Sequence, residues 1–291
     1  VRVRLEGCGV SGSNLAVWSG HPWVSYPLPA GAPGHEGWGV IDEVGDDVDS
    51  VTTGMRVACL SAHAFAEFDV APAEAVVELP QSLAGADVPG EALGCAVNVV
   101  ERAGISTGQM VAVVGVGFLG ALVVRLAVLA GATVVAASRR PFAREVACTQ
   151  GAVAAVALGD AGATAAAVAA VLGTDEVPIV VETAGCQHAL DVASRLVGTR
   201  GRLVVAGHHQ DGPRHVDMQS WNWRGIDVIN AHERALDVRV EGMRAGIAHL
   251  AAGRIDLSLL AQHRYALDHV EAALSMLEQR PDGFLKAVVH L

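Results

Sequence analysis

The sequence predicts an α/β chain in which a β-rich first part precedes a doubly wound parallel sheet. Three observations carry this reading. Residues 1 to about 100 hold short apolar runs broken by Gly and Pro. From about 108 to 230, apolar runs alternate with helix-patterned segments, the signature of a parallel sheet covered on both faces. Within that stretch, residues 111–140 read VAVVGVGFLGALVVRLAVLAGATVVAASRR, which is strand, glycine turn, helix and strand in succession.

The elements follow in order. The opening Val-Arg-Val-Arg-Leu alternates as a half-buried strand does, as though the chain begins inside a domain. Further strands are expected at 37–44, 55–60, 66–70 and 75–79. The β-branched runs 111–114 and 133–137 flank the glycine turn. The Ala-rich segment 152–172 reads as a short strand and a helix without function. Strands are expected at 179–182, 202–206 and 226–230, with helices at 187–196 and 238–252. An amphipathic helix over 269–279 and a strand over 284–291 close the chain. That last strand is expected to return to the first domain, because it needs a sheet to join. The expected domains are 1–100, 101–254 and 255–291, the last returning to the first.

Bulk properties narrow the function. The chain has 291 residues, a net charge of −11 and 52% hydrophobic residues. With no basic stripe against that acidic balance, nucleic acid is not expected as a partner. Residues 103–124 carry no charge, but a glycine turn in their midst argues for a buried α/β core over a membrane span. No secretory leader pattern opens the sequence. The five cysteines form no C-x-x-C pair, which fits reduced thiols and a cytoplasmic location.

Gly115-Val116-Gly117-Phe118-Leu119-Gly120 is a G-x-G-x-x-G turn between a strand and a helix, the context of a dinucleotide site. Gly115 permits the tight turn, Gly117 lets a pyrophosphate come close, and Gly120 lets the helix pack on its strand. The helix start, from Phe118 and Leu119, offers N–H groups to the anion. NAD-binding versions usually place an acid about 20 residues on. Here no acid occurs between Glu101 and Glu145, and the second strand ends in Ser138-Arg139-Arg140. A hydroxyl beside two guanidiniums suits a 2′-phosphate, so NADP(H) is expected rather than NAD(H).

Ahead of that turn, Gly34-His35-Glu36 is followed by Gly39-Val40, Val44-Gly45, Val48, Gly54, Arg56 and Val57. This ladder before a dinucleotide turn resembles the medium-chain dehydrogenase/reductase superfamily, the relatives of zinc-type alcohol dehydrogenases. The resemblance spans nearly the whole chain. It implies a discontinuous catalytic domain with a GroES-like β-barrel, a central Rossmann domain and an active-site cleft between them. It further implies a homodimer paired through the Rossmann sheet edge near 226–230. The first strands usual before the motif, and the four-cysteine structural-zinc lobe, are missing from the pattern.

In zinc members of the family, ligands come from a Cys in a C-G-x-C-G-[TS]-D-like segment, from the His of G-H-E, and from a later Cys or Glu. Here the segment reads Cys8-Gly9-Val10-Ser11-Gly12-Ser13-Asn14-Leu15. Ser11 stands at the ligand position, Asn14 at the neighbouring acid, and Ala16 where a relay histidine is often found. His35 and Glu36 remain, and Cys95 sits where the third ligand is expected. A serine hydroxyl binds zinc weakly compared with a thiolate, so no catalytic metal is expected. Cys8 is expected to point elsewhere. Ser13 stands at the family's proton-relay hydroxyl, flanked by Ser11 and His35.

Glu182-Thr183-Ala184-Gly185 resembles the family's cofactor-contacting turn, so Thr183 and Gly185 join the cofactor set. Gly207-His208-His209 and His232-Glu233 follow two later strands at the carboxyl ends, where cofactors bind. Trp18, Trp23, Tyr26 and Trp38 cluster in a chain with 4% aromatics, as do Trp221 and Trp223; they suit either a bulky apolar substrate pocket or ordinary packing. The expected activity is NADP(H)-dependent hydride exchange with a small or medium carbonyl, alcohol or activated alkene. The alternatives are a zinc-dependent alcohol or polyol dehydrogenase using His35, Glu36 and Cys95, and a non-catalytic dinucleotide-binding protein.

Overall fold

The computed structural model describes residues 1–291. The elements run β1 (Arg2–Val10), α1 (Asn14–Trp18), β2 (Glu36–Glu43), β3 (Arg56–Cys59), β4 (Phe68–Val70), β5 (Val76–Glu78) and α2 (Gly90–Ala103). They continue with β6 (Met110–Val114), α3 (Phe118–Leu129), β7 (Thr133–Ser138), α4 (Pro141–Thr149), β8 (Ala154–Ala157), α5 (Ala161–Leu172), β9 (Val177–Glu182), α6 (Gln187–Leu196), β10 (Val197–Val205), α7 (Met218–Arg224) and β11 (Asp227–Asn230). The chain closes with α8 (Leu236–Ala251), β12 (His263–Ala266), α9 (Val270–Gln279) and β13 (Ala287–His290).

Two compact units result: residues 1–95 with 234–291, and residues 96–233. The first is built on a seven-stranded sheet in the order β12-β13-β1-β2-β3-β5, with β4 also on β1. β1 is its hub, pairing antiparallel with β2, β4 and β13. The terminal strand therefore joins the first unit, as a lone apolar strand must. Two cores flank the sheet, one around Val3, Leu5, Ile41 and Val57, the other where α9 packs Leu274 and Leu277 onto Phe284 and Val289.

The second unit is a six-stranded parallel sheet in the order β11-β10-β9-β6-β7-β8. The order reverses between β6 and β9, and ligands of such sheets bind at that reversal, beyond the carboxyl ends of the strands. Val111, Ala112, Val113 and Val114 are buried, so the β6 sequence reads as continuous apolar residues rather than alternating ones. The charge-free stretch resolves into the end of α2, β6 and the first half of α3. No helix is long and apolar enough to cross a membrane.

Both boundaries lie elsewhere than expected, the first by five residues, since 96–100 cluster with the second unit. Residues 234–254, expected in the second domain, cluster with the first unit. The cause is α8, whose Met243 and Ile247 are buried, and whose Gly246 meets Leu93 of α2 at backbone distance. The elements α1, α2, α4, α7 and β12 were not among those expected; α1, α7 and β12 are too brief for periodicity to reveal.

Candidate functional site

The glycine turn of the second unit forms as its sequence dictates. Gly115 has φ +100°, and a Cβ there would lie 2.9 Å from the Ala184 backbone nitrogen. A Cβ on Gly120 would strike the Gly115 carbonyl and approach Thr183 Oγ1 to 2.7 Å. Around the Cβ direction of Gly117 there is open space. Gly117 caps α3 without a side-chain bond. The Phe118 side chain is buried and Leu119 half-buried; these two would serve a ligand through their backbone. The cradle fits a dinucleotide pyrophosphate.

Thr183 ties the next turn to this one, its hydroxyl donating to the Gly115 carbonyl at 2.6 Å. At the end of β7, Ser138 is buried, Arg139 exposed and Arg140 half-buried. The sequence reading missed Arg144, whose Nη1 donates to the Ser138 and Arg139 carbonyls at 3.1 Å each. Pro141 starting α4 was the available signal, because it places Arg144 one turn on, folded back over the strand end. Gly207 and His208 follow β10, and the His208 and His232 rings stack with centroids 5.9 Å apart.

The first unit assembles a separate polar cluster. Asn14 is buried; its Oδ1 accepts from the Ser11 N–H at 2.7 Å, and its Nδ2 donates to the Pro33 carbonyl at 2.9 Å. His35 Nδ1 also lies 2.9 Å from the Pro33 carbonyl. A carbonyl only accepts, so Nδ1 donates there, with Asn14 Nδ2 a second neighbour at 3.3 Å. Ser13 Oγ donates to Ser11 Oγ at 3.0 Å and lies 3.2 Å from His35 Nε2. Ser13 thus stands between Ser11 and His35, and its single hydroxyl hydrogen can turn to either.

Glu36 and His35 meet Glu91, not Cys95, as a three-residue group whose candidate ligand atoms lie within 4.8 Å of one another. Glu91 was missed by the sequence reading; the signal was an acid in the first turn of α2, four residues before Cys95. The Cys95 thiol donates to Glu91 Oε1 at 3.2 Å. Burial first, and the Glu91 charge second, push that thiol well above its ordinary range. Cys95 thus stands as a protonated donor to Glu91. Cys8 is fully buried on β1, its thiol likewise raised by burial and then by the Glu36 charge.

The group holds no cysteine, so it departs from the ligand set of the family's zinc members. Lys286, from the strand-forming tail, donates to Glu36 Oε1 at 2.6 Å with both side chains almost wholly buried. Glu91 faces Arg239 at 3.6 Å as well as the Cys95 thiol. Two carboxylates are therefore balanced by two cations of the chain itself, and Ser11 offers no thiolate.

The aromatic residues separate. Trp38 is 1% exposed and belongs to the core, whereas Trp18, Trp23 and Tyr26 are 39%, 58% and 49% exposed. Trp221 packs partly into the second unit's core with its indole N–H on Ser194, and Trp223 is 89% exposed.

Comparison with known proteins follows the same division. The family described as "Alcohol dehydrogenase GroES-like domain" matches residues 1–81, and "Zinc-binding dehydrogenase" matches residues 119–239. The chain is 25% identical to 2-dehydro-3-deoxy-L-galactonate 5-dehydrogenase of Pseudoalteromonas atlantica, over 100% of its own length and 91% of the relative's. It is 27% identical to the starvation-sensing protein RspB of Escherichia coli, over 96% of its length and 88% of that protein. Among solved structures, a Sinorhizobium meliloti protein described as a zinc-binding dehydrogenase, bound to NADP, superposes with a TM-score of 0.84 at 25% identity, covering 100% of this chain and 92% of that one. The Escherichia coli RspB structure, complexed with NADH, gives 0.84 at 25% identity, covering 100% and 91%. With both family matches in sequence order and the glycine turn between strand and helix, the chain belongs to the medium-chain dehydrogenase/reductase superfamily of NAD(P)-dependent oxidoreductases.

Proposed function

We propose that the protein is an NADP(H)-dependent oxidoreductase that exchanges hydride with a small or medium carbonyl, alcohol or activated alkene, and that it works without catalytic zinc. The observation that carries this is the placement of Ser13 Oγ between Ser11 Oγ and His35 Nε2, beside carboxylates already matched by Lys286 and Arg239.

When bound, NADP(H) supplies or accepts the hydride. Gly115, Gly117 and Gly120, with the first N–H groups of α3, would hold the pyrophosphate, and Ser138, Arg139 and Arg140 the 2′-phosphate. In carbonyl reduction, the Ser13 hydroxyl gives its proton to the substrate oxygen and takes one from Nε2 of protonated His35. Oxidation runs the same path backwards. Because Nδ1 meets a backbone carbonyl, the path stops at His35, and Ser11 Oγ orients Ser13 by accepting its hydrogen when it is not turned to the substrate. A metal-assisted reaction would need Lys286 and Arg239 to release Glu36 and Glu91.

The exposed trio Trp18, Trp23 and Tyr26 supports a substrate with a sizeable apolar part. The edge strand β11, with Val228 39% exposed, supports pairing into a homodimer. All five cysteines are free, which suits a cytoplasmic setting. The test is NADPH titration followed by turnover with ketones, enones and quinones. Saturable binding with NADPH oxidised by at least one class supports the proposal. Tight binding without turnover across the panel would make this a silent binder, and no binding of NADPH or NADH would end the reading.

A further inference from the structure

We propose that His209, backed by Arg214, is a positioning residue for the nicotinamide half of the dinucleotide. This rests on the dinucleotide reading above and goes beyond the glycine turn itself.

Glu182 ends β9 with no solvent exposure, a costly place for a carboxylate unless every lone pair is used. Its Oε1 accepts from the Ala184 and Gly185 N–H groups at 2.7 Å each. Its Oε2 lies 3.0 Å from His209 Nε2. Arg214 Nε donates to His209 Nδ1 at 2.7 Å. That donation leaves Nδ1 without a proton, so Nε2 carries it and donates to Glu182. Arg214 also reaches the Gly185 carbonyl at 3.1 Å and pairs with Asp211. The chain Arg214 to His209 to Glu182 thus closes a ring onto the turn 183–185.

Two turns are locked together by this ring. A Cβ on Gly207 would come 2.6 Å from Gly185 Cα and 2.7 Å from Glu182 Oε2, so the backbones touch with no room between them. Thr183 then carries the constraint to Gly115. Sheet order says which part of the ligand is affected. Ser138–Arg140 lies after β7, on one side of the reversal, while 183–185 and 207–209 follow β9 and β10 on the other. Each half of such a sheet takes one mononucleotide, so His209 serves the half that Arg139 and Arg140 do not.

The test compares two ligands on folded protein. NADPH and adenosine 2′,5′-bisphosphate are titrated against wild type, His209→Phe, His209→Gln and Arg214→Ala. Should NADH be the tighter cofactor, NADH and ADP replace them. His209→Phe and Arg214→Ala should weaken the dinucleotide about tenfold and the adenosine fragment less than about twofold. His209→Gln should restore dinucleotide binding, because its amide N–H can still donate to Glu182. If His209→Phe fails to fold, Arg214→Ala reads the same contrast. Unchanged dinucleotide binding, equal loss for both ligands, or no rescue by Gln would overturn the proposal. Wild-type protein that binds neither dinucleotide would overturn the cofactor reading, and this proposal with it.

Discussion

The two units build their functional surfaces from different materials. The second uses backbone: glycines that admit a close approach, amide groups at a helix start, and a threonine tying two turns together. The first uses side chains: Ser11, Ser13 and His35 in line, with Glu36 and Glu91 held by Lys286 and Arg239. A backbone site tolerates few residue types, so it persists in recognisable form. A side-chain site changes its chemistry by single replacements, and a buried charge that loses one partner must find another. Glu36 illustrates this, since its counter-charge comes from Lys286 on the last segment of the chain.

That contrast can be broken first at Lys286. Lys286→Met leaves the Glu36 carboxylate buried and unpaired, and should cost about 3–5 kcal/mol in urea unfolding. Adding Glu36→Gln should recover most of the loss. A silent single variant would mean that the pair is not what neutralises Glu36. Next comes Ser13→Ala, expected to lower turnover about 10²- to 10³-fold with NADPH affinity nearly unchanged. Comparable loss of affinity would place Ser13 in cofactor binding instead. The Arg139→Ala/Arg140→Ala pair should weaken NADPH about 10- to 100-fold and leave NADH close to its wild-type affinity. Equal effects on both would remove the 2′-phosphate assignment.

The smallest expected effect sharpens the comparison through the thiols. Burial pushes Cys59 up to about 12, and Cys8 and Cys95 are raised in the same direction. A raised thiol stays protonated, so at pH 8 the Cys59 thiolate fraction is only about 10⁻⁴. Cys148 in the second unit is exposed. Iodoacetamide should therefore label Cys148 first by peptide mass, with the three first-unit thiols protected until unfolding. Early labelling of Cys95 would argue against its bond to Glu91.

Legibility in the sequence followed the same line. The strand, glycine turn, helix and strand over 111–140 were readable because local sequence alone determines them. The helix Gln187–Leu196 was readable from its periodicity. Ser11 and Ser13 could be picked out because the segment 8–15 resembles the family's ligand segment, and the structure brings both hydroxyls to His35. Lys286 and Arg239 could not, because their roles depend on tertiary contacts with Glu36 and Glu91 that no spacing encodes. The same holds for Trp38, which reads like its exposed neighbours Trp18 and Trp23 yet lies in the core. The placement of α8 depended on a backbone contact between Gly246 and Leu93, again invisible to periodicity.

The central claim is hydride exchange without catalytic zinc. Its most direct test is the rate of NADPH oxidation by metal-stripped protein, with and without added zinc, on the best substrate of the ketone, enone and quinone panel. The account predicts the same rate in both samples. Activity that appears only when zinc is restored would show that Glu36 and Glu91 leave Lys286 and Arg239 for a metal, and would contradict it.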